Sequence, residues 1–105
     1  MKFDMNKMLQ EAQRMQAELA KAQEEAATEI VEATAGGGMV TVKANGAGEV
    51  VEISIDPRAI DPDDPELLAD LVLAAVNEAL RSSRSLMESK MSGLVPGDLG
   101  GLLGG

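Results

Sequence analysis

Apolar residues recur at Met5, Met8, Ala12, Met15, Leu19, Ala22 and Ala26, in alternating steps of three and four. No Gly or Pro interrupts the run. A strict two-per-seven seam of this kind is what one helix presents to another, whereas a helix lying on a globular core shows a broader stripe. The spacing predicts a helix over residues 4–27 with Asp4 as its N-cap. It also predicts a helical partner for that seam, supplied most simply by a second copy of the chain.

The heptad stops at residues 28–35, where β-branched residues enter (TEIVEATA) and predict a first strand. Gly36-Gly37-Gly38 forces a turn that only glycine adopts freely. Alternation then predicts strands at 39–44 and 47–55, joined at Asn45-Gly46, a strong hairpin signal. A two-residue loop there sets Ala44 opposite Ala47 and Val40 opposite Val51. That places Val40 and Val42 on one face with Val51, Ile53 and Ile55, and leaves Thr41, Lys43, Glu52 and Ser54 on a wet face. The glycines are not a phosphate loop, because they lead into a strand and no Gly-Lys-Ser/Thr follows.

Asp61-Pro62-Asp63-Asp64-Pro65 is acidic enough to suggest a metal site, but the spacing fits a helix start better. Asp64 as N-cap, Pro65 at the first helical position and Glu66 in the first turn are standard start signals. The helix so started runs over 65–91. Leu68, Val72, Ala75 and Ala79 form one apolar seam on it, and Leu73, Val76 and Leu80 form another on a different side. One three-stranded sheet covers a single side of such a helix, which independently asks for a partner. Self-association would then use Met8, Met15 and Leu19 from the first helix and Leu73, Val76 and Leu80 from the second. Residues 93–105 (GLVPGDLGGLLGG) are Gly/Leu-rich without periodicity and read as a flexible tail after a single α+β domain spanning 1–92.

Composition narrows the function. The chain has no His, Cys or Tyr, which removes the commonest general base, the thiolate nucleophile and much of metal ligation. We therefore expect no enzyme, no metal and no cofactor. Without Cys there is no disulfide framework, no apolar run reaches bilayer length and no signal-peptide pattern opens the chain, so a cytoplasmic protein is expected. Phe3 is the sole aromatic residue, so stacking on single-stranded bases is not available.

The net charge of −9 argues against nucleic acid at first sight, yet it is unevenly spread. Residues 28–65 hold eight acids against only Lys43 and Arg58, while both helices are nearly neutral. Lys7, Arg14 and Lys21 form a stripe beside the acidic stripe Asp4, Glu11, Glu18 and Glu25. Two readings compete: the cations pair locally with these acids, or they face phosphates. Arg81, Arg84 and Lys90, opposed in that segment only by Glu88, suit either the end of a helix or a phosphate backbone. The rival to DNA binding is a protein-interaction adaptor, in which the adaptable methionine seam accepts another protein's helix.

The order of motifs resembles the YbaB/EbfC family of bacterial nucleoid-associated proteins. It runs MNKMLQEAQRMQAELAKAQEE, GGGMVTVKANG, VEISIDP, an acidic-Pro cap into LLADLVLAAVNEAL, then a basic Ser-rich helix end. The resemblance covers nearly the whole chain. It implies an α-β-β-β-α protomer with a three-stranded antiparallel sheet, in a tight homodimer with helices between two outer sheets. It also implies double-stranded DNA as partner, a place on the nucleoid, and work alongside recombination or repair proteins. Binding would fall on projecting helical parts, here Lys7, Arg14 and Lys21 of the first helix and Arg81, Arg84 and Lys90 of the second. The chain departs from more basic relatives at Gly48-Glu49-Val50-Val51, where no cation stands at the start of the third strand.

Overall fold

A computed structural model of the chain describes residues 4–94. Helix α1 (Met5–Thr28) begins where the Asp4 side chain accepts the Lys7 N–H at 3.1 Å. Strands β1 (Ile30–Ala35), β2 (Val40–Asn45) and β3 (Val50–Ile55) form an antiparallel sheet in the order β1-β2-β3. A short 3-10 turn (Pro57–Ala59) leads to helix α2 (Pro65–Ser92). The architecture is α-β-β-β-α. The Gly/Leu-rich tail lies outside the described residues beyond Leu94, as does Phe3.

The acidic run is used for turns and caps. Asp61 accepts the Asp63 N–H at 2.9 Å and Asp64 caps α2 by accepting the Leu67 N–H at 3.2 Å. Among the described residues no group of acids is arranged to hold a metal ion. Asp56 accepts from the Arg58 backbone at 2.9 Å and from its guanidinium at 2.8 and 3.2 Å. Those hydrogen bonds favour the carboxylate and lower the Asp56 pKa from 3.8 to about 2.

The β2–β3 connection differs from the predicted two-residue loop. Val40 pairs with Ile55 and Val42 with Ile53, four residues further along than a loop of Asn45-Gly46 would give. The face assignment survives, because a shift by an even number keeps each side chain on its side. The cause is that Asn45 and Gly46 serve other partners. The Gly46 N–H donates to the carbonyls of Ala26 and Glu29 at the end of α1, at 2.8 and 3.2 Å. Asn45 instead organises a wider turn: its Oδ1 accepts the N–H groups of Ala47 and Glu49 at 3.0 and 3.1 Å. Gly48, with φ of +86°, supplies the left-handed residue that closes it. A bulge follows where Ala44 pairs with Val50.

The core is thin. Ala33, Val40, Val42, Ala44, Ala75 and Ala79 are its buried members, flanked by Val31, Ala35, Leu68, Leu71, Val72 and Val76. Helix α2 lies over β1 and β2 and scarcely reaches β3. The inward-facing Ile53 and Ile55 therefore stay 46% and 38% exposed, and Leu73 on α2 is 60% exposed. Of the second apolar seam of α2 read from the sequence, Leu73 is exposed, Leu80 is half-buried and Val76 packs half-buried against the core.

Two outcomes follow. A Cβ at position 46 would overlap the Ala26 carbonyl and sit 2.8 Å from the Ala26 Cβ. Gly46→Ala should therefore lower the urea-unfolding free energy by about 1–3 kcal/mol, as overpacking does. Gly37→Ala, in open space at φ of +67°, should cost about 1 kcal/mol of backbone strain. The second concerns acid. The Asp56 contribution is fully present above pH 3.8 and is lost as pH falls toward 2, because the folded-state pKa is the lower one. Asp56→Asn should remove this part of the acid dependence, measured as the urea midpoint against pH.

Candidate nucleic-acid interface

Helix α1 has 24 residues, about 36 Å at 1.5 Å per residue. Only Ala22 and Ala26 are buried on it, held near α2 and the β2–β3 turn. Residues from Asp4 to Glu18 are all exposed, so most of α1 stands clear of the body as an arm. The described chain accordingly measures 75 × 28 × 16 Å.

Four lanes run along this arm. With Met5 at heptad position a, the a/d seam is flanked on one side by the acidic g lane Asp4, Glu11, Glu18 and Glu25. Beyond that lies the basic c lane Lys7, Arg14 and Lys21, and the e lane Leu9, Gln16 and Gln23 runs on the other side. Arg14 pairs with Glu11 at 2.8 Å, with both side chains largely exposed. Lys7 and Lys21 are exposed and make no ion pair among the described residues. Local pairing, the plainer reading of the stripe, therefore accounts for one of its three cations.

The second group of cations divides differently. Arg81 gives two hydrogen bonds to one Glu78 oxygen, at 2.7 and 3.0 Å. Arg84 is exposed and has no ion pair among the described residues. Lys90 turns to α1 instead. Its ammonium binds Glu29 and lies 3.9 Å from Glu25, with a quarter of the side chain exposed. The hydrogen bond to Glu29 raises its pKa above the usual lysine value. In this geometry Lys90 ties the two helices together.

One position gained a role that sequence reasoning had not assigned. Ser83 is buried, and its hydroxyl donates to the Asn45 carbonyl at 2.6 Å. The available signal was its spacing, since Ala75, Ala79 and Ser83 continue a lane of small residues at steps of four. The candidates Met8, Met15 and Leu19 lie on the arm, with Leu19 half-buried, while Leu73, Val76 and Leu80 lie on the body.

The comparisons agree with this architecture. The model of the YbaB/EbfC DNA-binding family matches residues 1–99. The chain is 52% identical over 95 residues to the nucleoid-associated protein Teth39_2199 of Thermoanaerobacter pseudethanolicus, covering 90% of this chain and 86% of that one. It is 48% identical over 95 residues to a nucleoid-associated protein of Chloroflexus aurantiacus, covering 90% and 95%. In fold it is similar to the crystal structure of uncharacterized protein HP0035 from Helicobacter pylori, with a TM-score of 0.79 at 23% identity over 90% of this chain and all of that one. The arm, the antiparallel sheet and the motif order converge with these matches: the chain belongs to the YbaB/EbfC DNA-binding family.

Proposed function

We propose that the protein is a homodimeric, nucleoid-associated protein of the cytoplasm that holds duplex DNA by its phosphates. Lys7, Arg14 and Lys21 on α1 and Arg81 and Arg84 on α2 are the contacting groups, and Lys90 positions the helices. The observation that carries this reading is the pair of exposed cations Lys7 and Lys21, which have no ion pair among the described residues and stand on a projecting helix. The name nucleoid-associated protein, borne by relatives about half identical to the chain, supports it. Single point charges along a helix contact phosphates without reading base edges, so sequence preference is weak. Arg14 and Arg81 exchange an exposed carboxylate for a phosphate, and surface ion pairs of this kind cost little to break.

The dimer forms on the body. Val51, Ile53 and Ile55 of β3 and Leu73 of α2 are between 38% and 60% exposed in the single chain. Clustered apolar exposure of this kind marks an interaction surface, and a second copy supplies both a sheet and a helix to cover it. Dimerisation doubles the number of arms and therefore the number of phosphates held at once.

Fluorescence anisotropy with a generic duplex tests the contact. Affinity should fall steeply with salt, by a slope of about 0.9 for each phosphate neutralised. Lys7→Gln, Arg14→Gln and Lys21→Gln together should flatten that slope by roughly three for each arm engaged. Absence of binding at low salt would overturn the DNA reading. Sedimentation velocity tests the dimer: the protein should run as a dimer and Ile53→Glu as a folded monomer, whereas a monomeric parent protein rules the interface out.

A further inference from the structure

The a/d seam of α1 is used at one end and bare at the other. Ala22 and Ala26 are buried near α2 and the β2–β3 turn, while Met5, Met8 and Met15 are 63%, 56% and 38% exposed and Leu9 beside them is 55% exposed. The seam thus begins inside the body and continues outward uncovered, on the line where a second helix would lie. From these observations we infer that the outer part of the α1 seam is a docking site for a basic amphipathic helix of another protein.

The charges flanking the seam select that occupant over a second copy of α1. Flanking residues at e and g decide which helices pair and in which direction. All four g positions here, Asp4, Glu11, Glu18 and Glu25, are acidic, and the e positions Leu9, Gln16 and Gln23 are uncharged. In an antiparallel pair of α1 arms, g faces g and sets acid against acid, while e faces e and sets neutral residues together. In a parallel pair, g faces e and each acid meets a neutral residue, so no attraction is gained. A helix carrying Lys or Arg along its flank meets complementary charge throughout, while its apolar ridge meets methionines able to adapt to it. Of the α1 cations, Arg14 holds a g acid, Glu11 at 2.8 Å, in an exposed pair that costs little to exchange. Lys7 and Lys21 make no ion pair among the described residues, and the c lane lies beyond the acidic lane, away from the seam. One arm has room for DNA on one side and a helix on another, and the docking holds whether or not DNA is bound.

The probe is a three-heptad helical peptide with Leu at a and d and Lys at e and g, together with a twin carrying Glu at e and g. Each is titrated by anisotropy against the full chain without DNA. The Lys peptide should bind at least about tenfold more tightly than its twin. Met8→Gln with Met15→Gln, which removes apolar surface without changing charge, should weaken the Lys peptide by about tenfold or more, as loss of a two-residue anchor does. Glu11→Gln with Glu18→Gln should also weaken it, and all four substitutions fall at exposed positions, so circular dichroism should show the fold retained. Several results would overturn the inference: no binding by either peptide, equal binding by both, or Lys-peptide binding unchanged in the methionine variant, which would reveal simple attraction to an acidic chain. A parent protein that sediments as a larger assembly than the methionine variant would assign the seam to a second copy and overturn it as well.

Discussion

Gly46 meets the last turn of α1 backbone to backbone, and the shape of the molecule depends on that contact. A helix ends with carbonyls that have no partner inside it. Here the Gly46 N–H donates to the Ala26 carbonyl and to that of Glu29, the C-cap residue, and the approach is too close for any side chain at position 46. Ser83 brings α2 to the same point through the Asn45 carbonyl. Two helices and the hairpin turn therefore converge on glycine, alanine and serine. The C-terminal end of α1 is fixed by backbone geometry, while its first fourteen residues, Met5 to Glu18, are exposed along their whole length.

That extension changes what the net charge of −9 means. Lys7 lies fifteen residues before Ala22, about 22 Å along the helix. The screening length at 0.1 M salt is about 10 Å, so the acids of the body act weakly at the tip of the arm. What Lys7 meets is its own helix, where Asp4 caps the backbone and Glu11 is paired with Arg14. Several of the central acids, for their part, serve local structure, as with Asp56 on Arg58 and Asp64 at the start of α2. The acidic middle and the nearly neutral arm are thus separate electrostatic environments in one small chain.

What was legible in the sequence was local. The seam of α1, the caps at Asp4 and Asp64-Pro65, the glycine turn and the alternation of β2 each have their cause within a few residues, and the structure places them close to where the pattern put them. The hairpin register was not legible, because Asn45-Gly46 is an ambiguous signal until its partner is known. That partner is Ala26, twenty residues earlier. Ser83 was opaque for the same reason, its acceptor being 38 residues away. The lane Lys7, Arg14 and Lys21 could be read as a lane, but rotamers decide which cation pairs, and among the described residues only Arg14 does so. Lys90 had Glu88 nearby in sequence, yet it pairs with Glu29 across the helix contact. Similarly, the sequence showed that α2 has too much apolar surface for one sheet, while only the structure showed that β3 is the strand left uncovered.

The central claim is that the projecting arm, and not the sheet, meets DNA. Amine-reactive footprinting read by mass spectrometry tests it most directly, because the lysines are spread over the competing surfaces. On adding duplex at low salt, Lys7 and Lys21 should be protected while Lys43, on the outer face of the sheet beside Glu52, keeps its reactivity. Protection of Lys43 with Lys7 and Lys21 unchanged would contradict the account and move the DNA to the sheet.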